Sequence, residues 1–191
     1  KKNIRESREN TRKSRKKRYY KSQGHIVSGS DASESELTMA LRNEGIDVVI
    51  GTDKNHITND IDLVVYTAAL KDTHPELVQA KEFGIRAVTY FEGLGEVTKN
   101  KKTIAVSGTH GKTTTTAMTY YALKACGINP TVIVGSLLLE NNSNFILGDS
   151  EWMVVEACEY KRSFLSLYPE HIIVTNIDAD HLDYYKDIDD I

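Results

Sequence analysis

The chain has 191 residues, with 24 lysines and arginines against 27 aspartates and glutamates, and its formal net charge is −3. A hydrophobic content of 40% and a charged content of 27% are typical of globular proteins and exclude a fibrous or largely disordered chain. The net charge hides a division, because residues 1–21 carry 11 basic and two acidic side chains, a balance of +9. Residues 22–191 carry 13 basic and 25 acidic side chains, a balance of −12. The two regions therefore need separate interpretation.

Cysteine usage and apolar runs indicate the compartment. Cys126 and Cys158 lie far apart, so they form neither a disulfide framework nor a thiolate metal site, and they fit a reducing cytosol. The longest apolar run, residues 131–139, is too short to cross a bilayer. A signal peptide would require an apolar segment after the basic start, and none follows it. We expect a cytoplasmic protein without a membrane partner.

Residues 1–23 contain one aliphatic side chain, Ile4, so residues 1–21 are predicted to be a disordered or solvated helical segment that contributes no core element. After Gly24, short apolar runs alternate with helical patterns. The predicted strands are residues 25–27, 48–50, 63–66 and 85–88, and the predicted helices are residues 34–43 and 75–83. This alternation is typical of a parallel sheet with helices on both faces.

The polar segment 99–102 predicts a domain boundary, which gives domains at residues 22–99 and 100–191. A second α/β pattern follows it. The predicted strands here are residues 103–106, 131–134, 152–156 and 172–175, with a helix at residues 112–125. The stretch between Gly127 and Trp152 shows no helical pattern, so we expect hairpin connections in that part of the sheet.

The sequence GTHGKTTTT at residues 108–116 lies between a predicted strand and a predicted helix, the context that a phosphate loop requires. Gly108 and Gly111 allow backbone N–H groups to turn toward phosphate oxygens, and the helix N-terminus adds partial positive charge. Lys112 can reach the β- and γ-phosphates, and the Thr113 hydroxyl can ligate Mg²⁺. The predicted nucleotide-binding residues are Gly108, Thr109, His110, Gly111, Lys112, Thr113 and Thr114.

One position departs from the phosphate-loop pattern G-x-x-x-x-G-K-[ST], because Val106 stands where the first glycine belongs. The alternative is an ordinary strand–turn–helix with a glycine turn. Four consecutive threonines are poor helix formers, and a polyphosphate and metal site supplies a reason for them. We therefore favour the phosphate loop.

Two further predicted strands end in polar residues. Glu156 ends an apolar strand and is placed for Mg²⁺ near the phosphate loop, although a solvated strand-end carboxylate is the simpler alternative. His181 follows the last strand between Asp180 and Asp183, which could orient its ring, and we expect it to ligate a second metal ion. A surface histidine is the alternative.

Three motifs in order, GTHGKTTTT at 108–116, EACEYKRSFL at 156–165 and NIDADHLDYY at 176–185, resemble the Mur ligase family. His110 makes the chain most similar to the members that join L-alanine to UDP-N-acetylmuramate. Upstream, GHIVSGSD at 24–31 and VVYTAAL at 64–70 are similar to the UDP-binding domain of those members. The resemblance covers residues 20–191.

The resemblance implies an α/β fold in which a Rossmann-like UDP-binding domain precedes part of a P-loop ATP-binding domain. It implies that ATP phosphorylates the carboxylate of UDP-N-acetylmuramate and that L-alanine attacks the acyl phosphate, in peptidoglycan precursor synthesis. ATP and Mg²⁺ would be the cofactors. The implied residues are Lys112, Glu156 and His181 for catalysis, Thr113, Glu156 and His181 for metal, and Asp31 and Asn176 for substrate.

Three departures from the family pattern qualify this expectation. Residues 1–21 lack the family's apolar first strand and glycine-rich turn, Cys158 replaces a usual aspartate, and the chain ends before the rest of the family's ATP-binding and C-terminal domains. We expect a fragment or disrupted gene product that is inactive as a ligase alone.

Three alternatives stay open. The chain could be a nucleotide-binding module with a basic nucleic-acid-binding arm, an inactive nucleotide binder, or a related ligase with another acceptor. A nucleic-acid partner is not expected, since charge runs are more often solvated segments. The sequence leaves the oligomeric state open.

Overall fold

The computed structural model describes residues 1–7, 14–138, 143–180 and 182–191. The chain divides into two compact units, Lys1–Gly93 and Leu94–Ile191. Each unit is built on one five-stranded sheet with helices, which confirms the predicted α/β class. Among the described residues, no helix combines the length and the apolarity that crossing a bilayer requires.

The sheet of the first unit is parallel throughout. Its strands are β1 (Asn3–Ser7), β2 (Ile26–Asp31), β3 (Asp47–Ile50), β4 (Leu63–Tyr66) and β5 (Arg86–Thr89), and its helices are α1 (Ser14–Ser22), α2 (Glu36–Asn43) and α3 (Pro75–Glu82). The strand order is β3-β2-β1-β4-β5. The chain therefore runs outward from β1 in both directions. Ligands of open α/β sheets bind at the carboxyl ends of strands beside such a reversal.

The middle strand of this sheet comes from the basic N-terminal region. β1 pairs with β2 on one side and with β4 on the other, with Ile4 opposite Val27 and Leu63. The prediction that residues 1–21 contribute no core element is therefore wrong, whereas a helix is confirmed at Ser14–Ser22. The hydrophobic pattern gave no signal because Ile4 is the only aliphatic side chain of β1. Residues 8–13 of the predicted basic segment lie outside the described residues.

β1 carries polar side chains into a buried position. Arg5, Glu6 and Ser7 are nearly as buried as Ile4. In the described part of the chain, Arg5 Nε, Glu6 Oε1 and Ser7 Oγ have no hydrogen-bond partner. Burial lowers the pKa of the Arg5 guanidinium. Buried polar atoms without partners cost stability, so we infer that backbone pairing and Ile4, rather than these polar side chains, hold β1 in place.

The lysines of α1 are also withdrawn from water. Lys16 and Lys17 are fully buried. Lys16 Nζ donates a hydrogen bond to the Tyr90 carbonyl oxygen at 2.8 Å and lies 4.6 Å from the Tyr90 ring centroid. These two charges are therefore not exposed to the phosphates of a nucleic acid, which weakens the alternative of a basic nucleic-acid-binding arm.

An additional helix, α4 (Tyr90–Thr98), contains the point at which the two units divide. Hydrophobic spacing did not predict it because Gly93 and Gly95 are poor helix formers. A different signal was present: Thr89 and Glu92 have the spacing of a capping box. The Thr89 backbone N–H donates to Glu92 Oε2 at 2.6 Å. Gly95 is required by packing, because a Cβ there would lie 1.9 Å from the Ser166 carbonyl oxygen.

The second unit holds the other sheet. Its strands are β6 (Lys102–Ser107), β7 (Thr131–Leu138), β8 (Ser143–Ile146), β9 (Trp152–Glu156) and β10 (His171–Val174), and its long helix is α5 (Lys112–Ala125). The strand order is β10-β6-β9-β7-β8, and β7 pairs with β8 antiparallel while the other pairs are parallel. The antiparallel pair confirms the predicted hairpin between Gly127 and Trp152. β10 lies at the sheet edge, with Ile172 and Val174 exposed.

The position of β1 predicts a large difference between two isoleucines on neighbouring strands. Ile4 is 1% exposed and Ile26 is 53% exposed. Ile4→Ala is expected to lower the free energy of unfolding by about 2–4 kcal/mol, because it empties a buried site. Ile26→Ala is expected to change it by less than about 0.5 kcal/mol. Urea unfolding of the two variants tests this, and equal effects would place β1 outside the sheet.

Candidate functional site

The predicted phosphate loop joins β6 to α5, and its two glycines are needed for different reasons. Gly111 is the residue before the helix and has φ 79°, a left-handed conformation that glycine adopts readily. Gly108 has φ 124°, and a Cβ there would lie 2.2 Å from Thr175 Oγ1. Val106, which departs from the phosphate-loop pattern, is fully buried in the core of the unit. The loop therefore begins after β6 without the earlier glycine.

Lys112 lies across this loop. Its Nζ donates hydrogen bonds to the carbonyl oxygens of Gly108 at 2.5 Å and Thr109 at 3.0 Å. It also lies 3.0 Å from both carboxylate oxygens of Glu159. The side chains of Lys112 and Glu159 are 15% and 7% exposed, so this ion pair is largely shielded from water. Lys112 is thus held at the loop by two carbonyl oxygens and a carboxylate.

Thr113 and Glu156, the predicted metal ligands of this region, are brought into contact. Thr113 Oγ1 donates to Glu156 Oε2 at 2.9 Å, and the backbone N–H of Gly135 donates to the same oxygen at 2.6 Å. A Cβ on Gly135 would lie 2.3 Å from Glu156 Oε1, so this glycine leaves the space that the carboxylate occupies. A hydroxyl and a carboxylate are hard oxygen donors, and their chemistry fits Mg²⁺.

The other predicted ligand, His181, lies outside the described residues. Over residues 1–7, 14–138, 143–180 and 182–191, no group of three or more histidine, cysteine, aspartate or glutamate side chains is arranged to hold a metal ion. The carboxylate of Glu156 with the Thr113 hydroxyl is therefore the part of the predicted metal site that the structure describes.

The segment after β10 contacts the phosphate loop directly. Asn176 Oδ1 accepts a hydrogen bond from the His110 backbone N–H at 3.0 Å, and Asn176 Nδ2 donates to the His110 carbonyl oxygen at 3.0 Å. Thr175 Oγ1 donates to the same carbonyl oxygen at 2.6 Å. The Thr109 backbone N–H donates to the Asn176 carbonyl oxygen at 3.1 Å. Asn176, predicted to bind substrate, thus directs both ends of its amide at the loop.

The four threonines after Lys112 differ in position. Thr113 contacts Glu156, Thr114 is exposed in the first turn of α5, and Thr116 is fully buried. The expectation that a polyphosphate site accounts for all four is therefore too broad, since Thr116 faces the interior. Thr113 and Thr114 stay predictions as nucleotide-binding residues.

Asp31, the other predicted substrate residue, belongs to the first unit. It ends β2 and is largely buried, and its Oδ1 accepts a hydrogen bond from the Ser33 backbone N–H at 3.3 Å. The preceding residue takes part in a buried network that sequence reasoning missed. Ser30 Oγ donates to Glu76 Oε2 at 2.7 Å, and His56 Nδ1 lies 2.8 Å from Glu76 Oε1. This network joins β2 to the start of α3.

Comparison with known proteins identifies the family. The model for the Mur ligase family catalytic domain matches residues 13–102, and the model for the Mur ligase middle domain matches residues 106–191. The chain belongs to the Mur ligase family. The change from one family domain to the next falls between residues 102 and 106, and the boundary after residue 99 stays a prediction.

Named relatives of this Mur ligase chain include two bacterial proteins. It is 52% identical over 172 residues to the UDP-N-acetylmuramate–L-alanine ligase of Caldicellulosiruptor saccharolyticus, and the aligned part covers 90% of this chain and 38% of the relative. It is 51% identical over 169 residues to the ligase of the same name from Clostridium novyi, and the aligned part covers 88% of this chain and 37% of the relative. The chain thus spans less than two fifths of their length.

Solved structures give the same fold. The UDP-N-acetylmuramate-alanine ligase of Thermotoga maritima matches with a TM-score of 0.85 and 31% identity, over 95% of this chain and 43% of that chain. The UDP-N-acetylmuramate:L-alanyl-gamma-D-glutamyl-meso-diaminopimelate ligase of Neisseria meningitides matches with a TM-score of 0.87 and 24% identity, over 98% of this chain and 64% of that chain. The second likeness shows the fold alone.

Three site residues of this Mur ligase chain escaped sequence reasoning. Glu159 contacts Lys112, Gly135 contacts Glu156, and Thr175 contacts His110. Glu159 lies inside the motif at 156–165 and Thr175 directly precedes the motif at 176–185, so their position at strand ends was an available signal. Gly135 lies inside an apolar strand pattern, where an isolated glycine indicates close approach by another group.

Cys158 is half-buried, and burial raises the pKa of its thiol. Its thiolate fraction at neutral pH is therefore below that of an ordinary cysteine. We predict that iodoacetamide at pH 7.5 modifies exposed Cys126 before Cys158, and that Cys158 gains reactivity only as the pH rises past its raised pKa. Mass spectrometry of the Cys126→Ser and Cys158→Ser variants checks the order. Faster modification of Cys158 would contradict it.

The Lys112–Glu159 pair predicts strong energetic coupling. Lys112→Met leaves the buried Glu159 carboxylate without this cation, and we expect the free energy of unfolding to fall by about 3–5 kcal/mol. The double variant Lys112→Met/Glu159→Gln should recover part of that loss, because the buried charge is gone.

Urea unfolding of the singles and the double measures this coupling. The control is the exposed ion pair Lys102–Glu151 of the same unit, in which Nζ and Oε1 lie 2.8 Å apart. Its coupling energy should be much smaller, because exposed ion pairs contribute little to stability. Equal coupling in the two pairs would show that the Lys112 contact is not shielded as described.

Proposed function

We propose that this chain is the UDP-binding and phosphate-loop part of an ATP-dependent ligase that joins L-alanine to UDP-N-acetylmuramate through an acyl phosphate. The observation that carries the proposal is the juxtaposition of Lys112, Thr113 and Glu156 on the phosphate loop and the neighbouring strand end. The 52% identity to a ligase of that name supports the choice of substrates. We infer a cytoplasmic location from the cysteine usage.

Each residue of the loop has a defined role in this proposal. Lys112 would leave Glu159 and the loop carbonyl oxygens to contact the phosphates of ATP, where its charge stabilises the transferring phosphoryl group. Thr113 and Glu156 would hold Mg²⁺, which neutralises charge on the phosphate oxygens. The N-terminus of α5 would add its partial positive charge.

The remaining predicted residues complete the proposal by resemblance. His181 would hold a second Mg²⁺ near the acyl phosphate. Asp31, at the carboxyl end of β2 beside the strand reversal, would meet the ribose of the UDP substrate, since acidic residues at that place of a Rossmann-like sheet bind ribose hydroxyls.

Isothermal titration with ATP tests the proposal. Lys112→Met should raise the Kd for Mg²⁺–ATP at least about tenfold, because it removes a charge-assisted contact to phosphate. Lys124→Met is the control, because it removes the same charge from the other end of α5. Glu156→Gln should weaken ATP binding with Mg²⁺ present and have little effect in EDTA.

Two results would contradict the proposal. One is the absence of Mg²⁺–ATP binding by the folded chain. The other is equal weakening by Lys112→Met and Lys124→Met. The substrates are tested separately by titration with UDP-N-acetylmuramate, and the reaction is tested by phosphate release that requires ATP, L-alanine and UDP-N-acetylmuramate together.

A further inference from the structure

In the contact between the segment after β10 and the phosphate loop, one side chain forms hydrogen bonds with both backbone polar groups of a single loop residue. The amide of Asn176 satisfies both the N–H and the carbonyl oxygen of one residue, His110, each at 3.0 Å. A side chain can do this only if it carries a donor and an acceptor side by side, and the amides of asparagine and glutamine do. Aspartate offers acceptors alone when ionised, and aliphatic side chains offer neither.

Neighbouring residues extend this contact along the loop. The Thr175 hydroxyl donates to the His110 carbonyl oxygen at 2.6 Å, and the Thr175 backbone N–H donates to the Ser107 carbonyl oxygen at 3.0 Å. The Asp178 backbone N–H donates to Thr109 Oγ1 at 2.9 Å. Hydrogen bonds from one short segment therefore reach residues on both sides of Gly108, which itself has no room for a Cβ against Thr175.

We propose that Asn176 is a positioning residue of the phosphate loop rather than a substrate-binding residue. Its amide fixes the peptide groups on either side of His110, so the loop holds one shape before a nucleotide arrives. Groups that are ordered in advance lose less conformational entropy on binding. Asn176 acts on the nucleotide through the loop, and both polar ends of its side chain are already engaged there.

This positioning role also connects two parts of the proposed site. β10 pairs with β6, with Val174 opposite Ser107, so the segment after β10 and the loop after β6 leave the sheet side by side. The Asn176 amide joins the two segments through its hydrogen bonds with His110. A change at Asn176 therefore alters the loop without removing any strand pairing.

Hydrogen exchange of backbone amides, measured by NMR on the full chain without nucleotide, tests the contact itself. His110 is exposed, so its N–H should be protected chiefly by Asn176 Oδ1. Asn176→Ala should accelerate exchange of the His110 N–H by up to about tenfold, the loss expected for one hydrogen bond. The amides of Ile104 and Val154, inside the β6–β9 pairing, should keep their exchange rates.

The conservative variant separates positioning from a general loss of stability. Asn176→Asp retains an acceptor for the His110 N–H but loses the donor to the His110 carbonyl oxygen. It should therefore keep most of the exchange protection at His110. An Asn176→Ala variant that accelerates exchange equally at His110, Ile104 and Val154 would overturn the proposal, because the residue would then serve the whole unit.

Nucleotide affinity provides the second readout, and this part rests on the proposed function. The Kd for Mg²⁺–ATP should rise about tenfold in Asn176→Ala, whereas the affinity for UDP-N-acetylmuramate should stay unchanged. The opposite result, with only UDP-N-acetylmuramate affinity reduced, would overturn positioning and support substrate binding. If the natural chain fails to bind Mg²⁺–ATP, the proposed function fails, but the exchange of the His110 N–H still decides whether Asn176 holds the loop.

Discussion

Three parallel strands of the second unit, β6, β9 and β10, end at the same edge of one sheet, and the contacts of the candidate site follow from this alignment. The pairing sets Glu156 opposite Val106 and Val174 opposite Ser107. Residues just beyond the three strand ends therefore meet, although up to 69 residues of chain separate them. The loop glycines and the polar side chains only complete an arrangement that backbone pairing establishes.

Local patterns could predict the loop and its helix, because glycine, lysine and threonine act within a few residues of one another. Sheet geometry also made it possible to predict that Glu156 lies near the loop, where it contacts Thr113. It could not select Glu159 as the partner of Lys112, because the turn that follows β9 determines that contact. β1 was missed for another reason: a single aliphatic side chain, Ile4, gives no alternation, and only the pairing of neighbouring strands places it in the middle of the sheet.

The Lys112 charge and the His110 peptide groups of the phosphate loop already have partners in this structure. Lys112 contacts two carbonyl oxygens and Glu159, and the His110 peptide groups contact Asn176. In the proposed function, a nucleotide must exchange some of these contacts for its own. The net affinity is then a difference between two sets of charge-assisted contacts, so a change at Glu159 alters it through Lys112.

The exposed side chains of β10 have a consequence for handling the protein. Among the described strands, β10 has a neighbour on one side only, and Ile172 and Val174 are exposed beside its open edge. An apolar edge with unpaired backbone groups is a template for a strand from another molecule. A high protein concentration should therefore favour aggregation through this edge. Kosmotropic salts such as sulfate should strengthen it by favouring burial of Ile172 and Val174, and a lysine placed on this edge would improve solubility.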